Sequence, residues 1–240
     1  MLHAHDSSDK GDSSMIAAIS DVHSNLEALK GVLAKVTRAD MILDAGDVVG
    51  YNAKPNGCIA LFKKHRIRSV LGNHDQSCIT GDTGNMNPVA AQAIDWTRKT
   101  LSGTSMRYLK RLPEKLELSI KGRRIVVMHG SPMDPMNDYV FPWASERVLE
   151  RYLDMEEADI LILGNTHVPF VNKLGDRLVV NPGSVGQPRD HGTESSHAVI
   201  DPVRLEASIL RTKYDIIRVS NEITGAGLPV FLAERLFQGL

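Results

Sequence analysis

Five apolar runs in this chain each end directly on side chains able to hold a metal ion, and no other feature constrains the fold as strongly. IAAIS leads into Asp21 and His23, MILDA into Gly46-Asp47-Val-Val-Gly50, and IRSVL into Gly72-Asn73-His74-Asp75. Further on, IVVM leads into His129-Gly130 and ILIL into Gly164-Asn165-Thr166-His167. Short apolar runs closed by turn residues read as buried strands. In open α/β sheets ligands gather in the crevice beyond the carboxyl ends of the strands, so chain-distant tips can converge on one site.

The intervening segments support that reading. Strands are expected over 16–20, 41–44 and 67–71, separated by a helix to about Val36 and a second over 55–65. Ser24-Asn25-Leu26-Glu27 has the form of a capping box, and Leu26, Leu29 and Leu33 recur at helical spacing. This β-α-β-α-β order predicts a parallel sheet. Residues 76–104 read as a polar, Gly-rich insertion with one helix over 88–100, placed to form a lid or wall. Lys121-Gly122 marks a hairpin between 116–120 and 123–128; a helix over 144–153 and a strand over 160–163 follow. After it come strands at 170–174, 177–180, 197–200 and 205–210 without helices between them, then helices over 215–226 and 229–236. The switch from alternation to meander predicts an α/β (α+β) fold, a four-layer α/β/β/α sandwich of two mixed sheets flanked by helices.

Residues 1–14 are polar and carry no hydrophobic signal segment, so they are expected to be a disordered tail, with His3 and His5 solvated. Residues 15–240 then form a single domain. Lys plus Arg number 28 against 29 Asp plus Glu, which argues against coating nucleic acid and leaves room for a small phosphorylated substrate. The two cysteines, Cys58 and Cys78, form no Cys-x-x-Cys pair, as expected for a reduced, cytoplasmic protein. No apolar run approaches the roughly 20 residues that span a bilayer. Neither a membrane nor a stable nucleic-acid complex is expected as partner, and self-association into a homo-oligomer is compatible with these numbers.

Asp21, His23, Asp47, Asn73, His129, Asn165 and His167 are the candidate ligands. Oxygen and imidazole donors without thiolate suit a catalytic ion, with manganese first and Fe, Zn, Ni or Co as alternatives. Seven ligands exceed the need of one ion, and a shared carboxylate, best supplied by Asp47, would tie two divalent metal ions together. Each motif alone is weak: helix capping, a turn or a core histidine explains it. Their joint occurrence in order, each after a strand, is what carries weight.

The set Asp21-x-His23, Gly46-Asp47-x-x-Gly50, Gly72-Asn73-His74-Asp75, His129-Gly130 and Gly164-x-x-His167 resembles the signature of the calcineurin-like metallophosphoesterases. The likeness runs from about Met15 to the end. It is closer to the bacterial and archaeal subgroup of small phosphodiesterases and diadenosine tetraphosphatase-like proteins, which Asn181-Pro-Gly-Ser-Val-Gly-Gln-Pro-Arg189 also resembles. The resemblance implies that Asp21, His23 and His167 hold one metal, Asn73 and His129 the other, and that Asp47 bridges. His74 would assist the leaving oxygen, with Asp75 orienting it. The family pattern has a histidine where this chain has Asn165, a weaker donor toward late transition metals. Arg189, Asn25 and Gly183 are the candidates for binding substrate; Tyr51, Asn52 and His191 are further pocket candidates, and Trp96 and Trp143 are expected to pack.

The expected function is therefore hydrolysis of phosphate mono- or diesters, nucleotides and dinucleoside polyphosphates among them, by attack of a metal-bridging hydroxide. The alternative is a catalytically reduced nucleotide-sensing or protein-interaction module on the same fold.

Overall fold

The computed structural model describes residues 14–240, so the expected tail, with His3 and His5, lies outside the described residues except for Ser14. The first sheet has the order β10-β9-β1-β2-β3. It is built from β1 (Ile16–Ile19), β2 (Met41–Asp44), β3 (Arg68–Ser69), β9 (Ser195–Asp201) and β10 (Glu206–Thr212). As the alternation predicts, β1, β2 and β3 run parallel, while β9 is antiparallel to both β1 and β10. The second sheet has the order β4-β5-β6-β8-β7. Its strands are β4 (Lys115–Ile120), β5 (Arg123–Met128), β6 (Ile160–Ile162), β7 (Phe170–Leu174) and β8 (Arg177–Asn181). Here β5, β6 and β8 are parallel and the edge strands β4 and β7 antiparallel.

Period-two alternation explains the layering. Ile16 and Ala18 of β1 face the second sheet, and with Leu43 and Ile200 of their own sheet they pack with Ile125, Ile160 and Val180 of the other. Ala17 and Ile19 face the other way, onto α1 (Leu26–Lys35) and α2 (Pro55–Lys64) through Leu29, Val32 and Phe62. On the far side Val126 and Leu161 pack on Leu149 and Leu153 of α6 (Glu146–Met155). Each fully buried aliphatic of this kind stabilises the fold by roughly 1.5–3 kcal/mol. The result is the expected α/β/β/α sandwich. The carboxyl ends of β1, β2 and β3 in one sheet and β5 and β6 in the other meet along one edge.

Local expectations fared unevenly. Lys121 and Gly122, at φ 53° and 77°, make the two-residue hairpin between β4 and β5. The capping box at Ser24 does not form. Ser24 takes a left-handed φ of 58°, and Asn25 caps α1 by accepting from the Ala28 N–H. Glu27 turns outward to Lys30 and Arg218. The third strand contracts to two residues at the sheet edge. Residues 76–104 are a wall rather than a lid, because α3 (Asn73–Thr80), α4 (Pro88–Thr100) and α5 (Gly103–Leu109) bury Cys78, Ile94 and Leu109 in the core beside α2. The chain closes with α7 (Ile216–Gly225), α8 (Val230–Glu234) and a short 3-10 turn (Arg235–Phe237), which pack on α4 and Tyr51. No helix among the described residues is long and apolar enough to cross a membrane.

Candidate metal centre

The loops after the strands are sharply curled. Asp21, His23, Ser24, Asp47, Tyr51, Asn165 and His167 all adopt positive φ, between 46° and 67°. A non-glycine residue held there costs of order 1 kcal/mol and persists only where surrounding contacts impose it. Gly50 relieves one such turn: at φ 102° it brings the backbone so near His74 that a Cβ would lie 2.6 Å from Nδ1.

Three imidazoles converge with a common hydrogen-bond pattern. His23 Nδ1 lies 3.1 Å from Val49 O, His129 Nδ1 2.7 Å from Ala45 O, and His167 Nδ1 2.6 Å from Gln187 O. A carbonyl can only accept, so each Nδ1 carries the proton and donates it, which leaves Nε2 to face inward as a ligand. The Nε2 atoms of His23 and His167 approach to 3.1 Å, and His129 Nε2 lies 3.2 Å from Asn73 Oδ1.

The carboxylates are oriented in the same way. Ser20 Oγ and the Asn165 N–H donate to Asp21 Oδ2 at 2.6 and 3.2 Å. Asp21 Oδ1, buried and without any donor, faces His167 Nε2 at 3.2 Å. Asp47 Oδ1 accepts the His74 N–H at 2.9 Å, while Oδ2 lies 3.4 Å from His129 Nε2 and 3.6 Å from His23 Nε2. A buried carboxylate oxygen without a donor, facing imidazole lone pairs, fits a divalent cation. Asp21, His23 and His167 form one ligand group, Asp21, Asp47 and His129 another, and His23, Asp47 and His74 a third, each with its donor atoms within 4.8 Å of one another.

The two ends of this constellation differ electrically. Burial drives His23 well down, outweighing the pull of Asp47 in the other direction; burial and then Arg189 lower His167. Burial also pushes down on His129, but the Asp47 charge and hydrogen bond outweigh it and raise the imidazole to about 10. Asp47 answers to burial in the upward direction, yet the His129, His74 and His23 charges hold it far below the usual carboxylate range. His74 is lowered to about 4 by burial despite Asp47, and its Nδ1 has no partner.

Several assignments from the sequence change here. Asp75 does not orient His74. Its carboxylate accepts from the main-chain N–H groups of Val48, Val49 and Gly72 at 3.2, 3.0 and 3.2 Å, clamping the Asp47 loop to the start of α3. Neighbouring helical residues point about 100° apart, so Asp75 and His74 cannot share a face. Burial, then the Asp47 charge, push Asp75 up to about 7 against those N–H donors. The Asn25 main-chain N–H, a candidate donor to an anion, instead donates to Val22 O at 3.0 Å, while the side chain caps α1 and donates to Gly186 O. The Gly183 N–H is likewise taken, by Asn181 Oδ1, and a Cβ there would strike Ser196. The Asn181–Gln187 stretch is scaffold: Ser184 Oγ and the Gly186 N–H hold Asp21 O at 2.7 and 3.0 Å, and Gln187 O orients His167. Asn165 Nδ2 donates to Asp138 O at 2.9 Å. Arg189 does reach the site, where its NH2 donates to Tyr51 Oη and Gln187 Oε1, both at 3.2 Å.

Tyr51 proves more central than its sequence context suggests, with its ring 4.6 Å from that of His23 and 4.5 Å from that of His74. Ser20 has no sequence signal beyond ending a strand. Trp96 packs on the C-terminal cluster as expected, but Trp143 is 76% exposed and stacks on Phe141 at 4.6 Å, rather than packing inward. Burial pushes both the Cys58 and Cys78 thiols up, consistent with free, inert cysteines. Beside Asn73 opens a cleft of about 380 Å³, lined by residues of α3, the 82–86 loop, Met136, Asn137 and Tyr139.

Comparison with known proteins places the chain in a family. An uncharacterized protein of Methanocaldococcus jannaschii is 36% identical, over 94% of this chain and 98% of its own. The crystal structure of a metallophosphoesterase from Sphaerobacter thermophilus is similar with a TM-score of 0.82 at 33% identity, covering 95% of this chain and 100% of that one. A hypothetical protein from Pyrococcus horikoshii, at 22% identity and a TM-score of 0.86 over 94% and 98% of the two chains, shares the fold. The calcineurin-like phosphoesterase superfamily domain matches residues 15–203, a span that takes in every ligand described above and stops short of the C-terminal helices. On these residues and this fold, the chain belongs to the calcineurin-like phosphoesterase superfamily.

Proposed function

We propose that this protein hydrolyses phosphate mono- or diesters with two divalent metal ions. The observation that carries the proposal is the convergence of three Nδ1-anchored imidazoles on two carboxylates, each carboxylate held by one oxygen and presenting the other. Asp21, His23 and His167 would hold one ion, Asn73 and His129 the second, with Asp47 between them and Asn165 a weaker donor than the histidine of the family pattern. When bound, such a pair supplies Lewis acidity and lowers the pKa of coordinated water.

The chain's own groups do the rest. Arg189 neutralises charge on the phosphoryl oxygens. Burial keeps His74 neutral in the free protein. The negative charge of a phosphate ester beside it acts in the opposite sense, letting His74 hold a proton for the leaving oxygen. The cleft beside Asn73 is large enough for the organic part of an ester such as a nucleotide.

A panel assay tests this, with nitrophenyl phosphate, bis-nitrophenyl phosphate, cyclic nucleotides and diadenosine tetraphosphate, each with Mn, Zn, Fe or Ni. Turnover should require a divalent ion. His74→Ala should lower it by about 100-fold or more at unchanged metal content, the usual scale for losing a proton-transfer group. Full turnover in chelator, or none with any ion, would refute the proposal.

A further inference from the structure

The C-terminal helices return an arginine to the centre. Arg235 sits with its guanidinium 5.9 Å from the Tyr51 ring and 5.4 Å from the Phe231 ring, while Arg189 lies 5.7 Å from the same Tyr51 ring. Two guanidinium groups thus share one aromatic ring, and that ring abuts His23 and His74. The segments carrying them are tied together, since the His191 N–H donates to Gly239 O at 2.9 Å.

Among the described residues, neither arginine forms an ion pair with an aspartate or glutamate, although Arg235 Nε donates to the Leu240 main-chain oxygen. Arg189 Nε is buried and has no hydrogen-bond partner. Burial, then the Arg189 charge, lower Arg235 to about 10 against the influence of Tyr51. Both arginines are half-buried, and two cations partly withdrawn from water without a carboxylate side chain between them are expected where an anion is to be received. The planar fork of arginine matches phosphoryl oxygens, and two forks around one ring give a rigid seat for a tetrahedral anion.

We infer that Arg189 and Arg235, stacked about Tyr51, form a second anion subsite beside the metal centre that receives a further phosphoryl group of the same substrate. The inference rests on the proposed phosphoesterase reading and narrows it to substrates with two phosphoryl groups, as in a phosphoanhydride or a bisphosphate. Arg235 is a binding residue in this account and takes no part in bond cleavage.

Calorimetry of the metal-loaded protein with methylenebisphosphonate and methylphosphonate, neither of which is hydrolysed, reads the subsite directly. Wild type should prefer the bisphosphonate. Arg235→Gln should reduce that preference about tenfold, the scale of one charge-assisted contact, and Arg235→Lys should retain part of it. Chelation of the metals by both phosphonates would also favour the bisphosphonate, but that preference would survive Arg235→Gln. A preference unchanged in Arg235→Gln overturns the inference, as does a melting temperature that falls while the preference holds, which would mark Arg235 as an anchor of the C-terminal helices. Absence of hydrolysis with any ester would count against the phosphoesterase reading alone, because phosphonate binding does not depend on turnover.

Discussion

The two halves of the proposed metal centre are prepared to different degrees. On the side of Asp21, His23 and His167, both imidazoles are held neutral, and Asp21 is fixed by Ser20 Oγ and the Asn165 N–H. On the side of Asn73 and His129, the imidazole is raised to about 10 by Asp47, and the remaining donors are carboxamides. A proton on His129 does there what a cation would do. The first half is therefore a preformed ligand set, and the second becomes one only by exchanging a proton for a metal.

Asp47 Oδ2 lies between the halves, 3.4 Å from His129 Nε2 and 3.6 Å from His23 Nε2, so its loss should erase the difference between them. Asp47→Asn removes the charge that lowers repulsion between two cations. It should reduce turnover by at least about a thousandfold, comparable to removing a principal electrostatic contributor to a transition state. Metal analysis should find less than one ion per chain. Turnover near wild type would show that the two halves do not act together.

Asp75 offers a structural means of disturbing both halves equally. Asp75→Ala leaves the Val48, Val49 and Gly72 N–H groups without their acceptor, inside the core. Unpaired buried donors cost about 1–3 kcal/mol each, though relaxation and water will recover part of the sum. A loss of about 3 kcal/mol in denaturant unfolding is expected, with both metal affinities weakened together. A selective loss from one half would show that the clamp serves only that half.

The same contrast explains what was legible in the sequence. The tips are readable because polar side chains follow apolar strands and period-two alternation fixes which way a strand faces, so the sandwich and the gathering of the candidate ligands at one edge emerge from local pattern. Ser20, Ser184 and Gln187 were not readable as parts of the site, because they act through hydrogen bonds to groups distant along the chain. The role that the resemblance implies for Asp75 fails for a geometric reason: Asp75 follows His74 directly in α3, and a helix turns neighbours apart. The meeting of Tyr51 with Arg235 is purely tertiary, since nothing local to either residue announces the other.

The charge difference predicts unequal pH dependence. His129, raised to about 10, is protonated at neutral pH in the metal-free protein, so an ion entering that half must displace a proton. Affinity there should rise about tenfold per pH unit between roughly 6.5 and 9, one proton being released per ion. His23 and His167 are lowered and already neutral, so affinity in the first half should be nearly flat over that range. Metal titrations at three pH values, with proton release measured in buffers of different ionisation enthalpy, would separate the two. Equal slopes for both ions would remove the proposed asymmetry.

The smallest expected effect concerns Asn165, and it bears most directly on the second half. Asn165→His restores the donor of the family pattern at a left-handed φ of 67°, a region that histidine tolerates better than most residues, so the backbone need not move. Imidazole is the stronger ligand for late transition metals, and a gain of several-fold to about tenfold in affinity for the second ion is expected. Against it stands the lost hydrogen bond from Asn165 Nδ2 to Asp138 O, which anchors the loop leading to Tyr139 and should lower stability by about 1 kcal/mol. The two effects separate cleanly in zinc or nickel titration alongside thermal unfolding. Lower stability without tighter metal binding would mean that residue 165 serves the loop and not the ion, so that the looseness of the second half arises from the proton on His129 alone.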